Sequence, residues 1–332
     1  MKNTITLGTN DIDIKKAATV INKGGLVIFP TETVYGIGAD CLNTTAVYSI
    51  FSAKGRPQDN PLIVHIKNTN IETLQEVATD IPAIAITLLQ KFSPGPLTVV
   101  LKRNKNISPI LSADLPTIAV RVPAHPIAQK LLKYSNTPIA APSANISGRP
   151  SPTNFTMAKS DMLGRVDAII DGGECQHGLE STVVSFDNNT VHILRPGAIT
   201  DVMIKSATGL DTIYTTHKNH TAASPGTKHP HYKPNIPVRL KNKINIDKLV
   251  NKNKSIAVIL YRPAQNTIPY PTKHHRIHTK IFASIEDYAR DIYKTFVEFE
   301  TIGIDIIYVE AVPKEGLGVA LMNRLERASD KG

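Results

Sequence analysis

The stretch KGRPQDNPLIVH (residues 54–65) sets two cations, Lys54 and Arg56, on either side of Gly55 and runs into an apolar strand carrying His65. Upstream, TTAVYSIFSAK reads as a helix that Asn43 can cap and that Gly55 and Pro57 end. Downstream, LIVHI (62–66) reads as a buried strand. Helix, stiffened cationic loop and strand in succession predict an α/β fold with positive charge at the lip of a sheet. The same texture extends outward. LVIFP (26–30), LTVVLK (97–102), IAVRV (118–122), IAA (139–141), AIID (168–171), TVVSF (182–186) and VHILR (191–195) are further strands. Asp187-Asn188-Asn189 is the expected hairpin turn between the last two. Residues 11–25 read as a first helix with Asp11 or Asp13 as cap, Ile14, Ala17, Ala18 and Ile21 on its apolar face, and Gly24-Gly25 as its stop. HPIAQKLLKYS (125–135) reads as another. The first two hundred residues therefore predict one α/β unit around a mixed sheet.

A chain of 332 residues is longer than one core usually serves, and the texture does change. We place a first domain at 1–205, a linker at 206–238 and a small open α/β domain at 239–332. The linker contains TTHKNHTAASPGTKHPHYKPNIPVRL (215–240), rich in Pro, His, Lys and Thr and without apolar periodicity. The last domain follows from a strand in KSIAVILYRP, a helix capped by Ser284 and closed by Gly303, a strand in IDIIYVEAV and a helix in GVALMNRLERAS.

Composition narrows the function. The formal charge is +10, of which +3 falls on residues 1–200 and +7 on the remainder. Part of that excess sits in KNKINIDKLVNKNK (241–254), either a solvated Lys/Asn face or a weak attraction to a polyanion such as tRNA. Trp is absent and aromatics are 5%, so no platform for stacking single-stranded RNA is evident. Two cysteines supply neither a disulfide framework nor a four-thiolate zinc site. The N-terminus lacks a signal-peptide core and the apolar runs are too short to span a bilayer, so a reducing cytoplasm is expected.

Chemistry is carried by loops at strand ends. FPTETVYGIGAD (29–40) offers Thr31, Glu32, Thr33 and Tyr35. Lys54 and Arg56 can clamp phosphates or a carboxylate, Arg with two-point geometry. Arg121 alternates with apolar residues in a strand that should be buried, which demands either a ligand or a core carboxylate. APSANISGRPSPT (141–153) empties a strand into Ser143, Asn145, Ser147, Gly148, Ser151 and Thr153, a set able to wrap phosphate or ribose oxygens. Ser181 and Thr182 open one hairpin strand and Arg195 closes the other. HExxH, GxSxG and Walker motifs are absent, and the linker histidines have irregular spacing. Cations, hydroxyls and amides without a covalent nucleophile suit phosphoryl or nucleotidyl transfer.

In order, FPTETVYGIGAD, AKGRPQDNPLIVH, SPGPLTVVL, TIAVRVPAHP, PSANISGRPSPT, LESTVVSF and LRPGAI resemble the YrdC-type L-threonylcarbamoyladenylate synthases. SPGTKHPHYKP and GLGVALMNRLERAS resemble the linker and C-terminal domain of the family's long form. The resemblance implies a YrdC-like twisted mixed sheet around a deep basic cavity, plus a smaller Rossmann-like α/β domain whose linker crosses the cavity mouth. It implies a nucleotidyltransferase that joins L-threonine, bicarbonate or CO2 and ATP into threonylcarbamoyl-AMP, releasing pyrophosphate. A separate tRNA threonylcarbamoyl transferase complex would take the product, and Mg²⁺ would ride on the ATP phosphates. By motif, Lys54 and Arg56 would neutralise the carbamate and the α-phosphate during catalysis. Arg56, Asn60, Thr117, Asn145, Thr153 and Arg195 would touch ATP, and Tyr232 would reach the nucleotide. Thr33, His65, Arg121, Ser143 and Ser181 would hold threonine. The chain departs from the family pattern at Ser93, where Trp is common, and at Thr227, His229 and Pro230 in the linker. The alternative is an RNA-binding or regulatory module that keeps the fold without the chemistry.

Overall fold

The computed structural model describes residues 1–187, 189–215, 231–249, 254–263 and 276–329. It opens with β1 (Ile5–Leu7), α1 (Asp11–Asn22), β2 (Val27–Phe29), β3 (Gly36–Asp40), α2 (Thr44–Lys54) and β4 (Ile63–His65). Next come α3 (Ile71–Gln75), β5 (Ala78–Thr79), α4 (Ala83–Phe92), β6 (Leu97–Arg103), β7 (Thr117–Arg121), α5 (Pro126–Ser135) and β8 (Ile139–Ala140). The unit closes with α6 (Phe155–Met162), β9 (Ala168–Ile170), β10 (Thr182–Phe186), β11 (Thr190–Arg195), α7 (Asp201–Thr208) and β12 (Asp211–Tyr214). These strands form one mixed sheet in the order β1-β9-β2-β3-β8-β4-β7-β6-β10-β11-β12, with β5 paired to β6.

Local chemistry explains most of these elements. In α1 the buried residues are Ile14, Ala17, Ala18 and Ile21, the predicted face. Its cap is Asn10, whose side chain accepts from the Asp13 amide, so neither Asp11 nor Asp13 has that role. Asn43 caps α2 through the Ala46 amide, and Gly55 ends it in the left-handed region at φ 60°. The 182–195 hairpin is antiparallel as expected. GIGAD is a strand despite its two glycines. A Cβ on Gly38 would lie 2.8 Å from both Phe29 Cε1 and Ile139 Cγ2, so the missing side chain lets those two groups pack onto the backbone.

The predicted boundary at 205 falls inside α7. That helix, and β12 after it, belong to the first unit, because β12 pairs in parallel with β11. The first unit thus reaches Tyr214. Of the predicted linker, 216–230 lies outside the described residues, and so do Thr227, His229 and Pro230. His217 and His220 and part of the 241–254 basic stretch are outside them too.

The second unit contains β13 (Val238–Lys241), β14 (Ile256–Tyr261), β15 (Ile277–Phe282), α8 (Ile285–Thr301), β16 (Ile306–Glu310) and α9 (Leu317–Ala328). Its sheet is parallel, in the order β13-β16-β14-β15. Ser284 caps α8, and Gly303 follows that helix at φ 75°. Tyr288, Ile292, Phe296 and Phe299 on α8 share a core with Ala320, Leu321 and Leu325 on α9 and with β13, β14 and β16. No helix among the described residues is long and apolar enough to cross a membrane.

The two units dock through α8. Arg149 meets Glu300 at 3.1 Å, and Lys294 meets Glu174 at 2.7 Å. The closest approach is Gly178, at φ 70°, where a Cβ would stand 2.1 Å from Arg290 O and 2.4 Å from Arg290 Cα. Neither helix backbone nor turn can yield there. Gly178→Ala is expected to lower unfolding stability by about 2–3 kcal/mol in denaturant melts. Gly209→Ala, also at φ 70° but with open space around it, is expected to cost only about 1 kcal/mol.

Candidate functional site

Several strand ends converge on a cavity of about 50 Å³. Strands β4 and β7 run parallel and in register, with His65 opposite Arg121, so both side chains arrive at the carboxyl ends of neighbouring strands. The 30–35 connection brings Thr31 and Thr33, and the loop after β8 brings Ser143, bridged to Gly36. The turn after α2 brings Arg56, β11 ends in Arg195, and Glu180 precedes β10. His231 and Tyr232, beyond the undescribed part of the linker, complete the wall. Thr33, Arg56, His65, Arg121, Ser143, Arg195 and Tyr232 are thus brought together on one wall.

Each guanidinium is held by oxygen. Arg56 donates from Nε to Asn60 O (3.2 Å) and from Nη2 to Pro61 O (2.8 Å). Burial pulls its pKa down to about 9, Tyr232 opposes this and Arg195 adds to it, and the group stays charged at neutral pH. Arg121 donates from Nη2 to Glu32 Oε1 (2.8 Å) and from Nε to Gly95 O (3.2 Å). Of the two partners anticipated for Arg121, the core carboxylate is Glu32, and the residue also lines the cavity. Burial pushes the Glu32 carboxyl up, but Arg121 and the Ala124 amide outweigh it and hold the acid below its usual range. Arg195 donates from Nε to Ser181 O and from Nη2 to Ser181 Oγ, both at 3.0 Å. Ser181 Oγ also shares a hydrogen bond with Thr98 Oγ1 at 2.7 Å, so Ser181 stands behind Arg195.

His65 is different. It is 3% exposed, and among the described residues neither ring nitrogen makes a well-formed hydrogen bond; the main chains of Ile63 and Ile139 favour its charged form only slightly. Burial first, then Arg121, pull its pKa down to about 3, so the ring is neutral and can both donate and accept. A buried imidazole left unsatisfied at a cavity wall is costly unless a ligand completes it.

Lys54, expected to neutralise the reactants, is not among the side chains that line the cavity. It is 1% exposed and donates to Ser143 O at 2.6 Å, to Asn145 O and to Asn145 Oδ1 at 3.5 Å, which uses its three N–H groups. Burial, and next Arg56, depress its pKa strongly. Lys54 therefore braces the 143–145 loop, and its charge reaches the cavity only through space. Asn145 is likewise engaged by its own loop, donating to Ile146 O (2.8 Å) and Arg149 O (2.9 Å). Thr153 bonds to Met157 Sδ at 3.7 Å. Thr117 begins β7, at the end opposite Arg121. None of these three lines the cavity. Asn60 meets it through His231, with Nδ2 and Nε2 3.4 Å apart.

Glu32 stood with the hydroxyls of the 29–40 loop in the sequence, but its pairing with Arg121 did not; Glu180 and His231, which line the cavity, were not among the sequence candidates, and Glu180 had only its position before Ser181 as a signal. Glu180 accepts from Ser151 Oγ (2.5 Å), Arg324 Nε (2.9 Å) and Tyr293 OH (3.3 Å). Among the described residues no group of three His, Cys, Asp or Glu side chains is placed to hold a metal ion.

His65 and His231 both have pKa values of about 3 against an ordinary 6.5. The unfolded chain binds those protons first as pH falls, so stability is full above 6.5 and is lost from 6.5 towards 3. Thermal midpoints should drop between pH 6.5 and 5, before Glu32 and Glu180 begin to titrate. His65→Asn should shallow that slope by as much as about 1.4 kcal/mol per pH unit.

The Sua5/YciO/YrdC family model, described as "Telomere recombination", matches residues 19–197, and the model described as "Threonylcarbamoyl-AMP synthase, C-terminal domain" matches residues 198–330. A threonylcarbamoyl-AMP synthase of Pyrococcus abyssi is 40% identical, covering 95% of this chain and 94% of the relative. One from Bacillus subtilis is 38% identical, covering 97% and 94%. The crystal structure of P. abyssi Sua5 complexed with L-threonine superposes with a TM-score of 0.88 at 38% identity over 98% of both chains. By these matches, the chain belongs to the two-domain Sua5 branch of the threonylcarbamoyl-AMP synthase family.

Proposed function

We propose that this cavity joins L-threonine, bicarbonate or CO2, and ATP into threonylcarbamoyl-AMP with release of pyrophosphate. The observation that carries the reading is the unsatisfied His65 imidazole beside Arg121, in a wall that also presents Arg56 and Arg195. The chemistry asks for such a wall. The threonine amine adds to CO2, losing a proton, and gives a carbamate. A carbamate oxygen then attacks the α-phosphorus of ATP, and the bond to the pyrophosphate oxygen breaks. Both reactants are anions, and their repulsion falls only where fixed cations stand beside them. Arg56 and Arg195 fit the phosphate side and Arg121 the carboxylate of threonine. His65, neutral and able to donate or accept, fits the threonine hydroxyl, with Thr33 and Ser143 beside it. Mg²⁺ would enter with the ATP phosphates.

A cavity of about 50 Å³ is smaller than the roughly 300–1,000 Å³ of small-molecule pockets, so its wall must shift to admit both substrates. His231 and Tyr232 form the part of that wall that belongs to the linker. A P. abyssi Sua5 variant with alanine in place of one His and one Tyr also has a solved structure, with a TM-score of 0.87 to this chain. We assign the His231-Tyr232 pair the role of lid. The product would pass to a transferase acting on tRNA.

The decisive assay is pyrophosphate release with ATP and bicarbonate. It should require L-threonine; release indifferent to threonine overturns the proposal. Arg56→Ala should lower kcat/KM by about a hundredfold or more while the protein still folds, as read by circular dichroism. Valine, lacking the hydroxyl, should be poorer than threonine by a factor of about a thousand or more, and His65→Ala should narrow that gap.

A further inference from the structure

We infer that Arg324, on α9 of the C-terminal domain, is a positioning residue of the cavity: it fixes Arg195 and Tyr232, so the second domain completes the site. The inference rests on the reading above for what the cavity binds. Arg324 is 1% exposed and heads the fully buried side chains in volume. It grips the chain at both neighbours of the Arg195–Ser181 contact. Nε donates to Glu180 Oε2 at 2.9 Å, next to Ser181, and Nη1 donates to Pro196 O at 2.9 Å, next to Arg195. Its guanidinium also lies over the Tyr232 ring, 5.4 Å from the centroid. Tyr232 stacks on Tyr293 of α8 at 5.5 Å, and Tyr293 OH donates to the same Glu180 carboxylate.

Two features show that this clamp has work to do. Tyr232 sits at φ 70°, a conformation that a residue with a Cβ keeps only when its surroundings hold it there. Glu180 is a carboxylate in a cavity that needs net positive charge. Arg324, Ser151 and Tyr293 share its oxygens, so Arg195 feels that carboxylate's charge without holding it alone. Without Arg324 the buried carboxylate has Arg195 as its remaining strong electrostatic partner. It would then compete with ATP for that guanidinium.

The test compares wild type, Arg324→Met, and the double variant Arg324→Met/Glu180→Gln. Pyrophosphate-release kinetics are read together with amide exchange at Lys233, whose N–H bonds Gly148 O at 3.0 Å. In Arg324→Met, KM for ATP should rise about tenfold or more and KM for threonine less than about threefold. Exchange at Lys233 should accelerate about tenfold while the β14 amides keep wild-type protection. Removing the stranded charge in the double variant should recover most of the ATP effect. An unchanged KM and unchanged exchange overturn the inference, as does a KM effect that Glu180→Gln leaves in place, or exchange that quickens equally through β14. Threonine-independent turnover by the wild type would instead overturn the function proposed above, and the exchange comparison would still decide the role of Arg324.

Discussion

Like charges crowded into a low-dielectric interior repel, and Arg56, Arg121 and Arg195 share one small cavity. Much of the surrounding structure answers that cost. Arg121 has a full carboxylate partner in Glu32, while Arg56 and Arg195 rest on carbonyl and hydroxyl oxygens. The three are held differently: the guanidinium beside His65 grips a carboxylate directly, and the other two feel Asp59 and Glu180 through space. A site that brings anions together needs positive charge, and a stable fold needs it to be limited.

The limit is set from outside the first sheet. Glu180 lines the same cavity, yet its oxygens are taken by Ser151 and by two side chains of the C-terminal domain, Arg324 and Tyr293. The second domain thus governs how much negative charge reaches the cavity. The same domain presses α8 onto Gly178, two residues before Glu180, so docking and charge balance share one short loop. Lys54 belongs to the same economy: it organises the 143–145 carbonyls, which lets Ser143 face the cavity while Asn145 points into the loop.

Much of this was legible from local chemistry. Asn43 and Gly55 bracket α2, Ser284 and Gly303 bracket α8, and short apolar runs mark β6, β7 and β10, because caps and apolar runs act over a few residues. Elements without such marks went unseen. β3 carries two glycines, and β12 sits in a stretch that looks like the start of a linker. β15 mixes His, Thr and Lys with its apolar residues. Each is a strand because a neighbour pairs with it. The list of cations and hydroxyls at strand ends was also legible, since polar residues at the close of apolar runs stand out.

What the sequence by itself determined was which side chains could serve an anionic substrate, and roughly where the strands that present them begin and end. Only the tertiary structure decided which of them face the cavity and which brace it. Glu32 lies 89 residues from Arg121 and Glu180 lies 144 from Arg324. No local pattern encodes those pairings, because a buried charge chooses its partner by distance in the folded core, after strand register and domain docking have fixed who is near whom.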